Sequence, residues 1–138
     1  MSIEGARSEP IRVLLAKPTH DCHDRGVRLV AKKMRDAGLE VIFTNFLLPE
    51  EVVQAAVDED VDVVGVSVSS GGHLPIFEDL LAGLAAQGRE DAVVIGGGVI
   101  PPVDEATILS WGVEAIFGPG TNADQVIEMI KQRLSAVS

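Results

Sequence analysis

VDVVGVSVS, residues 61–69, is the most apolar β-branched run in the chain and decides the fold. A run of this kind, with no polar alternation, is expected of a strand covered on both faces, and therefore of a parallel sheet clad by helices. Three shorter runs share the pattern: IRVLLA (11–16), EVIFT (40–44) and AVVIGGG (92–98). EAIFG (114–118) reads as a short fifth strand. Helix-length segments separate them. In 24–37, Val27, Val30, Ala31, Met34 and Ala37 share one helical face, with Gly38 placed to stop the helix. Pro49 opens the next helix, PEEVVQAAVDED, with two glutamates near its positive end. Further helices are expected over Pro75 to Gln87, 103–111 and 122–135.

Strict alternation of five β-α units implies a parallel sheet with right-handed crossovers and helices on both faces. At five strands this is an α/β, flavodoxin-like (Rossmann-like) fold with strand order 2-1-3-4-5. A single domain is expected over 11–138, with residues 1–10 a disordered lead-in. In that order the chain reverses direction between strands 1 and 3, and ligands bind there beyond the carboxyl ends of the strands.

The composition of the 138-residue chain narrows the function. Hydrophobic residues make up 46%, aromatics 4% and tyrosine is absent, so the core is aliphatic. A net charge of −10 argues against nucleic acid, which needs basic surface, and against anionic membranes. No apolar run reaches the roughly 20 residues of a membrane span, and no signal peptide is visible. One cysteine makes no internal disulfide, which suits the cytoplasm.

The polar and glycine-rich loops all fall at the carboxyl end of the expected sheet, whereas the opposite end has plain connections such as DAGLE and DEDVD. That asymmetry points to a binding site. After strand 1 comes KPTHDCHDRG (17–26), holding two of the three histidines and the only cysteine. Asp21 and His23 have two readings. A carboxylate on one imidazole nitrogen makes the other a better metal ligand, with Lys17 tuning the pair. Alternatively the loop is solvated and Asp21 caps the following helix. His20 is expected to face solvent, and Cys22 to be a small residue in a tight turn. Ser67 and Ser69 can donate to a ligand or cap a helix, and His73 reads as a loop or helix-start residue.

Gly96, Gly97 and Gly98 lack the G-x-G-x-x-G or G-K-[ST] context of a nucleotide site. Their other role is to let a bulky ligand lie against bare backbone. Asp104 and Glu105 suit the positive end of the fourth helix. A phosphoryl-accepting receiver domain has the same fold, but it needs an aspartate ending strand 3 and a lysine after strand 5. Here Ser67 and GPGT (118–121) stand there.

Taken together, D-C-H-D-R-G at 21–26, S-V-S at 67–69 and the glycine pair 97–98 resemble the D-x-H-x-x-G, S-x-L, G-G pattern of base-off/His-on cobalamin-binding domains. Forty residues separate Gly26 from Ser67, and 27 separate Ser69 from Gly97, close to the family's intervals. The likeness runs from about 11 to 134. It is nearest to the small subunits and C-terminal domains of acyl-CoA mutases of the methylmalonyl-, isobutyryl- and 2-hydroxyisobutyryl-CoA type.

The resemblance implies that His23 is the lower axial ligand to cobalt, with Asp21 and Lys17 behind it. The displaced benzimidazole would enter a slot between strands 1 and 3, bordered by Ser67, Ser69, Gly97 and Gly98, with Thr121 near the far end. It further implies adenosylcobalamin as cofactor, radical chemistry started by cobalt–carbon homolysis, and a large catalytic subunit binding the acyl-CoA, in a heterotetramer. The chain would not be active alone. Three features depart from the pattern: Ser69 replaces the motif's leucine, Cys22 replaces a glycine, and TNFLLPEE (44–51) is more apolar than in relatives. A corrinoid carrier for methyl transfer or a cobalamin-sensing module is the competing function. Carriers usually have a helical bundle ahead of this fold, and sensors an effector domain.

Overall fold

The computed structural model describes residues 10–19, 25–69, 71–118 and 122–135. Five strands, β1 (Arg12–Pro18), β2 (Glu40–Phe46), β3 (Val63–Val68), β4 (Val93–Gly98) and β5 (Ala115–Phe117), alternate with five helices. These are α1 (Arg25–Asp36), α2 (Pro49–Glu59), α3 (His73–Ala86), α4 (Pro102–Ser110) and α5 (Ala123–Ser135). The sheet is parallel throughout, in the order β2-β1-β3-β4-β5. The expected topology is the observed one, and the residues expected as a disordered lead-in lie outside the described ones, except Pro10. No helix among the described residues is long and apolar enough to cross a membrane.

Period-two alternation sorts the strands' side chains between two cores. Leu14, Ala16, Val64, Val66, Val68 and Val94 pack beneath Val52, Ala56, Phe77, Leu80 and Ile108 of α2, α3 and α4. On the other face Val13, Leu15, Val63, Val93 and Ile95 meet Val27, Met34, Ile127 and Ile130 of α1 and α5. β3 is the central strand, and Val63, Val64 and Val68 are fully buried. Burial on both faces is what its unbroken apolar run requires.

Element boundaries shift by one or two residues from the sequence expectation, and two of the shifts have a clear cause. β2 runs to Phe46 rather than Thr44, because β1 continues to Pro18 and pairs Lys17 with Asn45 and Pro18 with Phe46. α3 starts at His73, two residues before Pro75. Gly71 (φ +100°) and Gly72 (φ +77°) turn the chain into the helix. Pro75 then sits in the first turn, where its missing N–H has no intrahelical acceptor to lose. His73 is thus a helix-start residue, and it is buried, with Nε2 3.3 Å from the Val68 carbonyl. A carbonyl only accepts, so the ring nitrogen donates and the proton sits on Nε2.

Candidate functional site

β1 and β3, adjacent in the sheet, lead into helices on opposite faces, α1 and α3, so their carboxyl ends diverge into a crevice. Small residues deepen it on the α1/α5 face. Alternation puts Gly65 and Ser67 of β3 and Gly97 of β4 on that face. A cavity of about 840 Å³ lies over them. Its floor also includes Leu15 and Ile95, Phe117 forms one wall, and Val27, Leu29 and Val30 of α1 form another. Ser69, Gly118 and Asn122 give it a polar edge.

The three consecutive glycines of β4 turn out to have three different roles. Gly96 faces α3, where a Cβ would stand 2.8 Å from Cζ of Phe77; the bare backbone lets that ring pack against the sheet. Gly98 has φ +99°, and a Cβ there would overlap the Val68 backbone. Gly97 alone turns its missing side chain to the cavity side. A Cβ there would meet nothing closer than Phe117 Cβ at 3.6 Å, an ordinary contact. Packing therefore permits a side chain at 97, and its absence leaves space in the cavity. One strand below, Gly65 does serve packing: its Cβ would lie 2.7 Å from Leu15 Cδ2 and 3.1 Å from Ile95 Cγ1, the two side chains that close over it.

Of the residues expected to form the site, Gly26, Ser67, Ser69, Gly97 and Gly98 line this one cavity. Lys17 does not line it. It is buried at the end of β1, with Nζ 3.3 Å from the Pro18 carbonyl it donates to. Asp21, His23 and Thr121 lie outside the described residues, as do His20 and Cys22. Asp104 and Glu105 occupy the first turn of α4, as expected.

Sequence reasoning missed the α1 wall. Leu29 and Lys33 flank the apolar stripe that marks the helix's packing face, and both border the cavity. Leu29 is 55% exposed, a large apolar side chain left against open space. The signal was present in the sequence: Gly26, Leu29, Val30 and Lys33 follow helical i, i+3, i+4, i+7 spacing.

The arrangement can hold a flat, largely apolar group against bare backbone, with serine hydroxyls and an asparagine at the edge. Comparison with known proteins places the chain in a family. Residues 11–128 match the B12 binding domain family. The chain is 45% identical over 128 residues to the 2-hydroxyisobutanoyl-CoA mutase small subunit of Aquincola tertiaricarbonis, covering 92% of this chain and 94% of that one. It is 41% identical to the methylmalonyl-CoA mutase of Escherichia coli over 92% of its own length, yet spans only 18% of that relative. Among solved structures, a cobalamin-binding protein from Desulfitobacterium hafniense superposes with a TM-score of 0.74 at 24% identity, covering 90% of this chain and 59% of that one. A Francisella response regulator receiver domain reaches 0.68 at 16% identity, covering 93% and 99%. These two likenesses concern the fold.

Proposed function

The chain belongs to the B12 binding domain family, and from that membership we propose that it is the cobalamin-binding small subunit of a heteromeric, adenosylcobalamin-dependent acyl-CoA mutase, holding the cofactor base-off with His23 on cobalt. One observation supports this above the others. Gly26, Ser67 and Gly97 come from three motifs far apart in sequence, and all three border one cavity. The cavity suits the cofactor's tail in shape and chemistry. Its floor is glycine backbone, its walls are aliphatic and aromatic, and the Gly97 position is left open although packing would accept a methyl. At about 840 Å³ it has the size of a site for a drug-sized group, so the far larger corrin ring would lie outside, above the strand ends.

In this reading His23 would hold the cobalt through one ring nitrogen and Asp21 would accept from the other, which would fix the tautomer and raise the ring's basicity. Lys17 would sit behind the pair as a buried cation. Ser67 and Ser69 would face the tail, with Thr121 near its far end. When bound, adenosylcobalamin supplies the radical chemistry of a carbon-skeleton rearrangement, and the protein orients and shields it.

A partner is part of the proposal. Leu47, Leu48, Val99 and Val103 follow β2 and β4 at the carboxyl end and are 59–73% exposed. Such an apolar rim, on the side where the corrin would project, fits a large catalytic subunit that covers the cofactor's upper face and brings the acyl-CoA.

The decisive measurement is the electron paramagnetic resonance spectrum of cob(II)alamin bound to protein labelled with nitrogen-15 histidine. A doublet on each cobalt line is expected, and it should vanish in His23→Ala. A nitrogen-14 triplet would mean that benzimidazole stays on cobalt, and would overturn the axial assignment.

A further inference from the structure

We propose that Lys33 is the counter-ion for the phosphodiester in the nucleotide tail of cobalamin, an assignment that rests on the cofactor reading above. Lys33 is the one ionised side chain among the described residues that line the cavity. The tail's phosphodiester is likewise the one anionic group of the cofactor, whose corrin substituents are neutral amides. An anion entering a protein of net charge −10 is disfavoured at long range, so a cation in the wall has a definite task.

The geometry leaves Lys33 able to perform it. Its present partner is Asp124 in the first turn of α5, with Nζ 3.9 Å from Oδ1, beyond hydrogen-bond distance. The two side chains are 43% and 75% exposed, so the pair is screened by water and exchanging it for a phosphate costs little. The lysine stem is an apolar cavity lining, and the flexible ammonium can follow a ligand atom. The next residue offers a built-in comparison. Lys32 pairs with Asp36 at 3.0 Å on the exposed side of α1, is 73% exposed and does not line the cavity.

The test measures affinities for hydroxocobalamin and for cobinamide, which lacks the phosphodiester, ribose and base, by titration calorimetry. Lys33→Glu is expected to weaken hydroxocobalamin binding by about tenfold or more. Lys33→Arg and Lys32→Glu should each stay within about twofold of wild type, and Lys33→Glu should leave cobinamide affinity unchanged. Thermal melts without ligand separate any loss of fold, since Lys33 also sits in the last turn of α1, where a cation favours the helix dipole. The proposal is overturned if Lys33→Glu binds hydroxocobalamin like wild type, if Lys32→Glu weakens it equally, or if cobinamide suffers the same loss. Wild-type protein that binds neither compound would sink the cofactor reading itself, and this assignment with it.

Discussion

Gly97 and Gly98 are neighbours in sequence with opposite demands, and substitution should separate them. Gly98→Ala forces a Cβ onto the Val68 backbone at a positive φ, and is expected to cost at least about 2 kcal/mol in urea unfolding. Gly97→Ala meets only an ordinary contact with Phe117, so the free protein should be within about 0.5 kcal/mol of wild type. Its methyl, however, occupies cavity space, and cobalamin affinity should fall by about tenfold. Loss of folding in Gly97→Ala would contradict the role given to that position. The glycine run was legible as a site marker in the sequence. Which of its members served ligand, helix or backbone was not, because that depends on the pleat and on Phe77 arriving from a distant helix.

At the scale of elements, the start of α2 illustrates a cap that the sequence hinted at through Pro49 and two glutamates. Leu48, at the N-cap, has no side-chain acceptor to offer, so Glu51 reaches back instead. Its Oε1 accepts from the backbone N–H of Leu47 at 2.6 Å and of Leu48 at 3.0 Å. These bonds, from Leu48 first and then Leu47, favour the carboxylate and hold its pKa below the ordinary value of 4.5. A carboxylate whose folded pKa is depressed stabilises the fold above its unfolded pKa and loses that contribution as pH falls through the folded one. Glu51→Gln should therefore lower the melting temperature at pH 7. The gap from wild type should narrow progressively as pH falls from about 4.5, where the unfolded chain begins to take up the proton, through the lower pKa of the folded state. A gap that stays constant down to pH 3 would show that the charge contributes nothing at this cap. The start of α3 was harder to read, because Pro75 looks like a first residue and only the glycine turn at 71–72 shows that the helix is already under way.

For the molecule as a whole, a ligand that binds only the folded state stabilises it by mass action. Hydroxocobalamin at 100 times its dissociation constant should add about 2.7 kcal/mol, raising the melting temperature by roughly 10 °C in a chain of this size. Differential scanning calorimetry checks this directly. An unchanged melting temperature at millimolar ligand would count against the cofactor reading, independently of any axial coordination.

The sequence by itself determined the order of elements, the parallel sheet, the end at which function gathers and the three spaced motifs, since each is written in local periodicity or in intervals along the chain. Only the tertiary structure decided that, of the three β4 glycines bordering the cavity, Gly97 alone has a Cβ position that packing leaves open, that Leu29 and Lys33 complete its α1 wall, and that Lys33 meets Asp124 from α5. Those facts depend on how α1, α3 and α5 are set against the strands. Such a setting comes from side chains packed between elements dozens of residues apart, and no local window of sequence records it.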